Sequence, residues 1–356
     1  MLENIFLNST LAFLIVTILI VLVHEYGHYF FAKLCGVHID IFSVGFGPKL
    51  YSFYDKAKTR WQICALPLGG FVKINGQDAS FDEEEAVKID KNDKTNFVNK
   101  TNLQKISIAF GGPLFNVILA IVIMFVIFIS YGKPQITPTV AEISPNSPAE
   151  KYGLIVNDKI LKINNIDIKS PEDIVTQLQQ IKDENAKILV QNKDSESREI
   201  FVILNEDRKL GIKIGGEITT SKIGFSESFF ESIKYTFHIT KMTFTGVKKL
   251  IFGEEKIKNL GGIIQIAKSS GEAMQSGFEN FLFLIALLSI NLAILNLLPI
   301  PGLDGGHILF YLLDLLWIGK FIKPKARVYA VLCGFAILIC LMVVANFNDV
   351  IRLINK

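Results

Sequence analysis

The sequence predicts a polytopic α-helical membrane protein: four transmembrane helices, a membrane-associated β-hairpin segment and one inserted α+β domain. Three observations predict it. Half of the 356 residues are hydrophobic, and the mean hydropathy is clearly positive. Four apolar runs reach about 20 residues, the length that crosses a hydrocarbon core. Between the second and third runs lies a more polar stretch of capped helices and alternating strands. The net charge of +3 is too small to suggest nucleic-acid binding. Cys35, Cys64, Cys333 and Cys340 form no C-x-x-C pair, so they read as inert thiols rather than a disulfide framework.

Residues 1–35 hold the first span, roughly Leu7 to Ala32. Its start, Met1-Leu2-Glu3-Asn4, lacks a basic region, and its apolar run carries His24-Glu25-Tyr26-Gly27-His28, so it does not read as a cleaved signal peptide. The motif is H-E-x-x-H. Residues four apart on a helix share a face, so His24 and His28 can offer two imidazoles to one metal, and zinc suits neutral imidazole. Glu25 is placed to take a proton from an activated water rather than to bind the ion. Three ionisable groups in an apolar helix are costly and mark a functional site.

Residues 36–105 begin with Ile39 to Ile74, where alternation and glycine breaks suggest β-hairpins too apolar for a solvated loop. Phe81 to Asn102 is charged and mixed in sign, and reads as a solvated cytosolic loop. The second span occupies 106–131. Residues 132–216 form the soluble domain. Ser147-Pro148 opens a short helix closed by Gly153, and Ser170-Pro171 opens a second. Residues 217–277 form an amphipathic helical linker. Apolar residues from Phe229 to Ile251 recur at helical spacing among lysines, which fits a helix on the membrane surface or on the soluble domain. The last part, 278–356, holds the third span, a motif from Asn296 to Gly306, and the fourth span. Asn291 and Asn296 in or at the end of the third span need polar partners.

Lys320, Lys323, Lys325 and Arg327 cluster between the third and fourth spans, and the positive-inside rule makes that loop cytosolic. Alternation then puts residues 36–105 on the cytosolic side and the soluble domain outside. His24 and His28 fall toward the cytosolic end of their span. A catalytic zinc site wants a third protein ligand. Asp304, at the cytosolic end of the third span, is the best remaining carboxylate, and His307 is a weaker rival. Pro299 and Pro301 break the helix before it, and the neighbouring glycines allow close backbone approach.

Together H-E-Y-G-H in the first span, N-L-L-P-I-P-G-L-D-G-G after the third and the domain between them resemble the site-2 protease family, nearest to its bacterial RseP-like intramembrane zinc metalloproteases. The inserted domain resembles a PDZ domain through S-P-x-x-x-x-G-L-x-x-x-D-x-I-x-x-I. Gly45-Phe46-Gly47 looks like the family's G-x-G at a membrane-reentrant β-loop, and Gly112-Pro113 with Asn116 looks like its G-P-x-x-N. The resemblance implies His24, His28 and Asp304 as ligands of Zn2+ and Glu25 as general base. It suggests that Asn296 and the Gly45-Phe46-Gly47 loop meet the substrate. It implies as partners the lipid bilayer and single-span membrane proteins, such as anti-sigma factors or signal-peptide remnants, already trimmed by another protease. It implies the inner, cytoplasmic membrane as location. Two departures stand out: one PDZ-like domain rather than two, and Gly261-Gly262-Ile263 where G-P-I is expected.

Peptide hydrolysis needs an activated water and a polarised carbonyl. A helical substrate must first unwind, and a strand edge between Ile39 and Ile74 would hold it by strand addition. A membrane zinc transporter and a metal-binding PDZ scaffold are the alternatives. No G-Φ-G-Φ carboxylate loop precedes Val140, and Pro134 and Pro138 remove backbone donors there. The domain is therefore expected to gate substrates sterically rather than to hold free C-termini.

Overall fold

A computed structural model describes residues 2–77, 90, 92–168, 170–181, 185–192, 196–204, 208–216, 218–254, 261–316, 319 and 324–354. They form two compact units, Met1–Ile127 with Phe229–Lys356, and Phe128–Ser228.

The first unit opens with α1 (Leu2–Leu34), an apolar run with no interior proline. The chain then turns into β1 (Ile39–Tyr54) and β2 (Arg60–Ile74), which pair as an antiparallel hairpin. The Asp55 carboxylate organises the turn, accepting from Ala57 N and Thr59 N at 2.9 Å and from Trp61 Nε1 at 3.0 Å. Burial raises its pKa, but these hydrogen bonds outweigh burial and hold it below the usual range.

The hairpin is wider than two strands. Phe42, Ser43 and Val44 pair with Val72, Phe71 and Gly70 on one side and with Trp61, Gln62 and Ile63 on the other. The second set rises together along the chain, while residues 51–54 lie against 60–63. Strong bends at the irregular registers thus fold two continuous strands into four adjacent segments. No other described strand pairs with 70–74, which forms one edge.

Residues 81–89 and 91 of the expected solvated loop lie outside the described residues. Its end is anchored to the fold at one point, although Lys94, Thr95 and Asn99 are exposed. Phe97 is buried with Ala32, Val37, Ile39, Ile74 and Ile108, and Lys100 Nζ donates to the Cys35 carbonyl at 2.7 Å. α2 (Asn102–Tyr131) follows and starts four residues before the expected span, because Asn102 and the first turn continue the helix.

The second unit has ten elements among its described residues. In order they are β3 (Lys133–Ile136), β4 (Val140–Ile143), α3 (Pro148–Lys151), β5 (Lys159–Ile163), β6 (Ile166–Asp167), α4 (Pro171–Gln180), β7 (Asn185–Gln191), β8 (Ser197–Ile203), β9 (Ile212–Ile214) and β10 (Ile218–Ser221). A four-stranded antiparallel sheet runs β6-β5-β7-β8, with separate pairs β4 to β9 and β3 to β10. The serine–glycine–aspartate motif is structural. Ser147 Oγ accepts from Glu150 N, Gly153 takes φ 83°, Leu154 enters the core, and Asp158, fully enclosed, accepts from Ile155 N at 2.9 Å and Arg198 at 2.5 Å. Ser170 and Asp173 form a capping box on α4. The expected boundary at 216 falls short, because β10 returns to pair with β3 at the unit's other end.

A groove runs between α4 and β9, lined by Ile174, Val175, Leu178 and Ile214 and by the irregular segment Arg208-Lys209-Leu210-Gly211. This segment precedes β9, the strand that flanks the groove. The groove's strand does not follow the residues before Val140; it comes late in the chain and pairs back with β4. The prolines before Val140 therefore do not exclude a carboxylate loop.

The chain re-enters the first unit through α5 (Phe225–Ile251). Within the first unit this helix meets two of the spans, through Phe125 and Asn291. Phe229 meets Phe125 of α2, and Ser232, Thr236 and Ile239 are buried, while Phe230, Phe237 and Phe244 stay exposed. Small polar residues face inward and phenylalanines outward, the inversion that lipid as solvent favours. α6 (Ile263–Gln275) is capped from across the fold: Gly262 N donates to Asp349 Oδ2 at 2.9 Å. Proline, the residue the family pattern expects at 262, has no such donor.

α7 (Phe278–Asn296) is the third span, two residues shorter than expected because Leu297 already leaves the helix. Asn291 and Asn296 both find partners. Asn291 Oδ1 accepts from Thr243 Oγ1 of α5 at 3.1 Å, and Asn296 reaches His24. α8 (Asp304–Leu315) and α9 (Pro324–Ile354) complete the unit. Arg327 closes tightly on Asp314, tying α9 to α8. Lys320 and Lys323 lie outside the described residues. Among the described residues, four helices are long and apolar enough to cross a membrane: Ser9–Leu34, Asn102–Tyr131, Phe278–Asn296 and Lys325–Ile354.

Candidate metal centre and active site

The site is built where α1 crosses α2. A methyl group at Gly27 would strike the Gly111 carbonyl, and one at Gly111 would strike Gly27. The two backbones touch, a packing mode of small residues in membrane helices. Gly112 then lies directly against the imidazoles of His24 and His28. Asp304 comes from the first turn of α8. The break at Leu297 to Leu303 lets the chain reverse, and side chains at Gly305 or Gly306 would strike the carbonyls of Leu297, Leu298 or Ile300.

His24 Nε2 and His28 Nε2 lie 3.3 Å apart. Asp304 Oδ2 is 3.2 Å from His24 Nε2, and Oδ1 is 3.4 Å from His28 Nε2. A tetrahedral ion with bonds of about 2.0–2.1 Å places its ligand atoms roughly 3.3 Å apart. The triangle fits that spacing, and the chemistry of two imidazoles and a carboxylate fits zinc. Asp304 Oδ2 is enclosed and receives no hydrogen bond. His28 Nδ1 donates to the Ile108 carbonyl at 2.8 Å, which fixes its tautomer and turns the Nε2 lone pair to the triangle. Asn116 Nδ2 lies 3.3 Å from His24 Nδ1.

A cleft of about 210 Å³ opens on this triangle. Glu25, Asn296, His307 and Tyr311 line it, and Phe71, Val72 and Ile74 of the hairpin edge form one wall. Among the described residues, His24, His28 and Asp304 are the group whose ligand atoms converge; His307 lies in the cleft but outside that group. Gly45, Phe46 and Gly47 do not line the cleft. The two glycines take φ 85° and 86° where β1 bends away, and Phe46 stacks at 6.0 Å on Phe71, their link to the wall.

Sequence reasoning found the triangle and missed its frame. Gly27, Gly111 and Gly112 decide how closely α1 and α2 approach, and the edge 70–74 decides what faces Glu25. The glycine cluster was visible in the sequence, but its partner helix was not.

A motif helix carrying two convergent imidazoles, a carboxylate from a broken helix and an acidic residue in the adjoining cleft define a membrane-embedded metallopeptidase. The comparisons agree. The model of Peptidase family M50 matches residues 12–341. The chain is 34% identical over 361 residues to a protein of Rickettsia conorii, spanning 98% of this chain and 99% of the relative. It is 36% identical over 354 residues to one of Campylobacter jejuni, spanning 97% and 94%. It is 34% identical over 354 residues to one of Clostridium acetobutylicum, spanning 98% and 99%. All three are provisionally named zinc metalloproteases. The chain belongs to peptidase family M50, the site-2 protease family, and is a zinc metalloprotease; the transporter and scaffold readings give way to this one.

Proposed function

We propose that this enzyme cuts single-span membrane proteins within their membrane segment, with zinc held by His24, His28 and Asp304 and with Glu25 as general base. The observation that carries the reading is the ligand triangle at the end of an apolar helix. Bound zinc supplies Lewis-acid polarisation of the scissile carbonyl and a lowered pKa for water. Glu25 takes the water proton and returns it to the leaving amine. Asn296, beside His24 and in the cleft, donates to the substrate backbone. The free edge of 70–74 pairs with the unwound substrate and holds it along the cleft. Phe46 braces that edge through Phe71. Asp304→Asn tests the ligand set: retained zinc should fall well below one per chain, and cleavage should be lost. Unchanged zinc and activity would remove Asp304 from the set.

In this reading the substrate has already been cut once outside the membrane, as in regulated intramembrane proteolysis. Anti-sigma-like proteins and signal-peptide remnants have the required form. The membrane is the inner one, with the cleft near its cytosolic face and the inserted domain outside. A cysteine at Lys325 should react only with reagents that enter the cytosol, and one at Asn192 with impermeant reagents. The reverse labelling would overturn this topology.

The inserted unit supports a PDZ-like reading through its capped helices and the α4–β9 groove. The expectation of a pure steric gate now competes with recognition, because Leu210-Gly211-Ile212 line the groove where β9 begins. Val175→Glu separates them, since Val175 is exposed and lines the groove. Recognition predicts a raised KM for trimmed substrate. A gate predicts no change with Val175→Glu and cleavage of untrimmed substrates once residues 139–204 are replaced by a short flexible linker. An unchanged KM would reject recognition, and continued exclusion of untrimmed substrates would reject the gate.

A further inference from the structure

We propose that Asn116 is a positioning residue that fixes the tautomer and ring plane of His24 by accepting a hydrogen bond from its Nδ1–H. The inference rests on the reading of His24 as a metal ligand. Asn116 is fully buried, and its amide faces His24 Nδ1 at 3.3 Å. Its backbone is held independently: Ser289 Oγ of α7 donates to the Asn116 carbonyl at 2.9 Å. The amide is thus fixed in place by a contact that its side chain does not make.

An imidazole that offers Nε2 to a metal keeps its proton on Nδ1, and that proton needs an acceptor. For His28 the Ile108 carbonyl is the acceptor. For His24 the corresponding position is filled by the Asn116 amide. Asn116 Oδ1 is enclosed and has no hydrogen-bond partner. A half turn about the last side-chain torsion exchanges the two ends of the amide in place and brings Oδ1 against Nδ1. A buried asparagine that only fills space would not have to face the ring nitrogen opposite the ligand atom. An amide also serves where a second carboxylate would add charge behind a site that already contains Asp304 and Glu25.

The test compares zinc affinity of the full chain in detergent, by competition with a chelator, for wild type, Asn116→Leu and Asn116→Asp. Unfolding midpoints of the zinc-stripped proteins are measured alongside. Leucine matches the side chain's size but accepts nothing, and zinc affinity should fall about 10–100-fold. Aspartate accepts from Nδ1–H, and should hold zinc at least as tightly as wild type. Asn116→Leu within twofold of wild type would overturn the inference. So would an Asn116→Asp protein that loses zinc tenfold or more, a result that decides the matter even if the leucine variant does not fold. Asp304→Asn is the control. If it loses zinc while Asn116→Leu does not, this inference alone fails. If Asp304→Asn and His24→Ala both keep wild-type affinity, the ligand reading fails and the inference falls with it.

Discussion

Glu25→Gln should retain about one zinc per chain and lose cleavage by about 10²- to 10⁴-fold, the usual contribution of a positioned general base. Glu25 lines the cleft but does not belong to the triangle of ligand atoms. Glutamine keeps the shape and removes the proton acceptor, so binding and chemistry separate. Zinc content by elemental analysis and turnover of a single-span substrate check the two halves. Loss of zinc with the activity would make Glu25 a ligand rather than a base. Undiminished turnover would remove it from the chemistry.

Gly112→Ala should empty the metal site while leaving the fold standing. A methyl there would overlap His28 Nε2 and come within 2.7 Å of His24 Cε1. The α2 backbone cannot back away freely, because Gly111 is already against Gly27. The imidazoles must move instead, and the triangle opens. Overpacking of this kind costs about 1–3 kcal/mol, less than the roughly 5–15 kcal/mol that holds a folded protein together. The variant should therefore accumulate in the membrane with a modestly lowered unfolding midpoint and bind zinc far more weakly than wild type. Full zinc loading with normal cleavage would show that the rings tolerate the methyl and that the crossing does not set the ligand geometry.

The parts of this molecule that were legible in the sequence are those written in local periodicity or spacing. The four apolar helices follow from run length, and the proximity of His24 and His28 follows from the helical repeat. Asp304 was reachable because the prolines before it end a helix at a matching depth. The parts that were not legible depend on which surfaces meet. The stripe of Ser232 and Thr236 on α5 reads equally well as a solvent face or as a packing face in lipid, and only what the helix meets, Phe125 at Phe229 and Asn291 at Thr243, decides. The four-segment layer from 39 to 74 arises from bends in two continuous strands, which alternation alone does not locate. The groove of the inserted unit was missed because its strand, β9, lies late in the chain and closes on β4. Asn116 stood out in the sequence without a role, since nothing local says that its amide meets His24 from another helix.

The central claim is hydrolysis inside the membrane segment of a single-span protein. It is tested most directly by incubating the zinc-loaded enzyme with such a substrate in lipid and reading the product termini by mass spectrometry. The account predicts new termini within the apolar span, produced by wild type, absent with Glu25→Gln and suppressed by a zinc chelator. Termini confined to the soluble flanks, or internal termini that persist with Glu25→Gln, would contradict it.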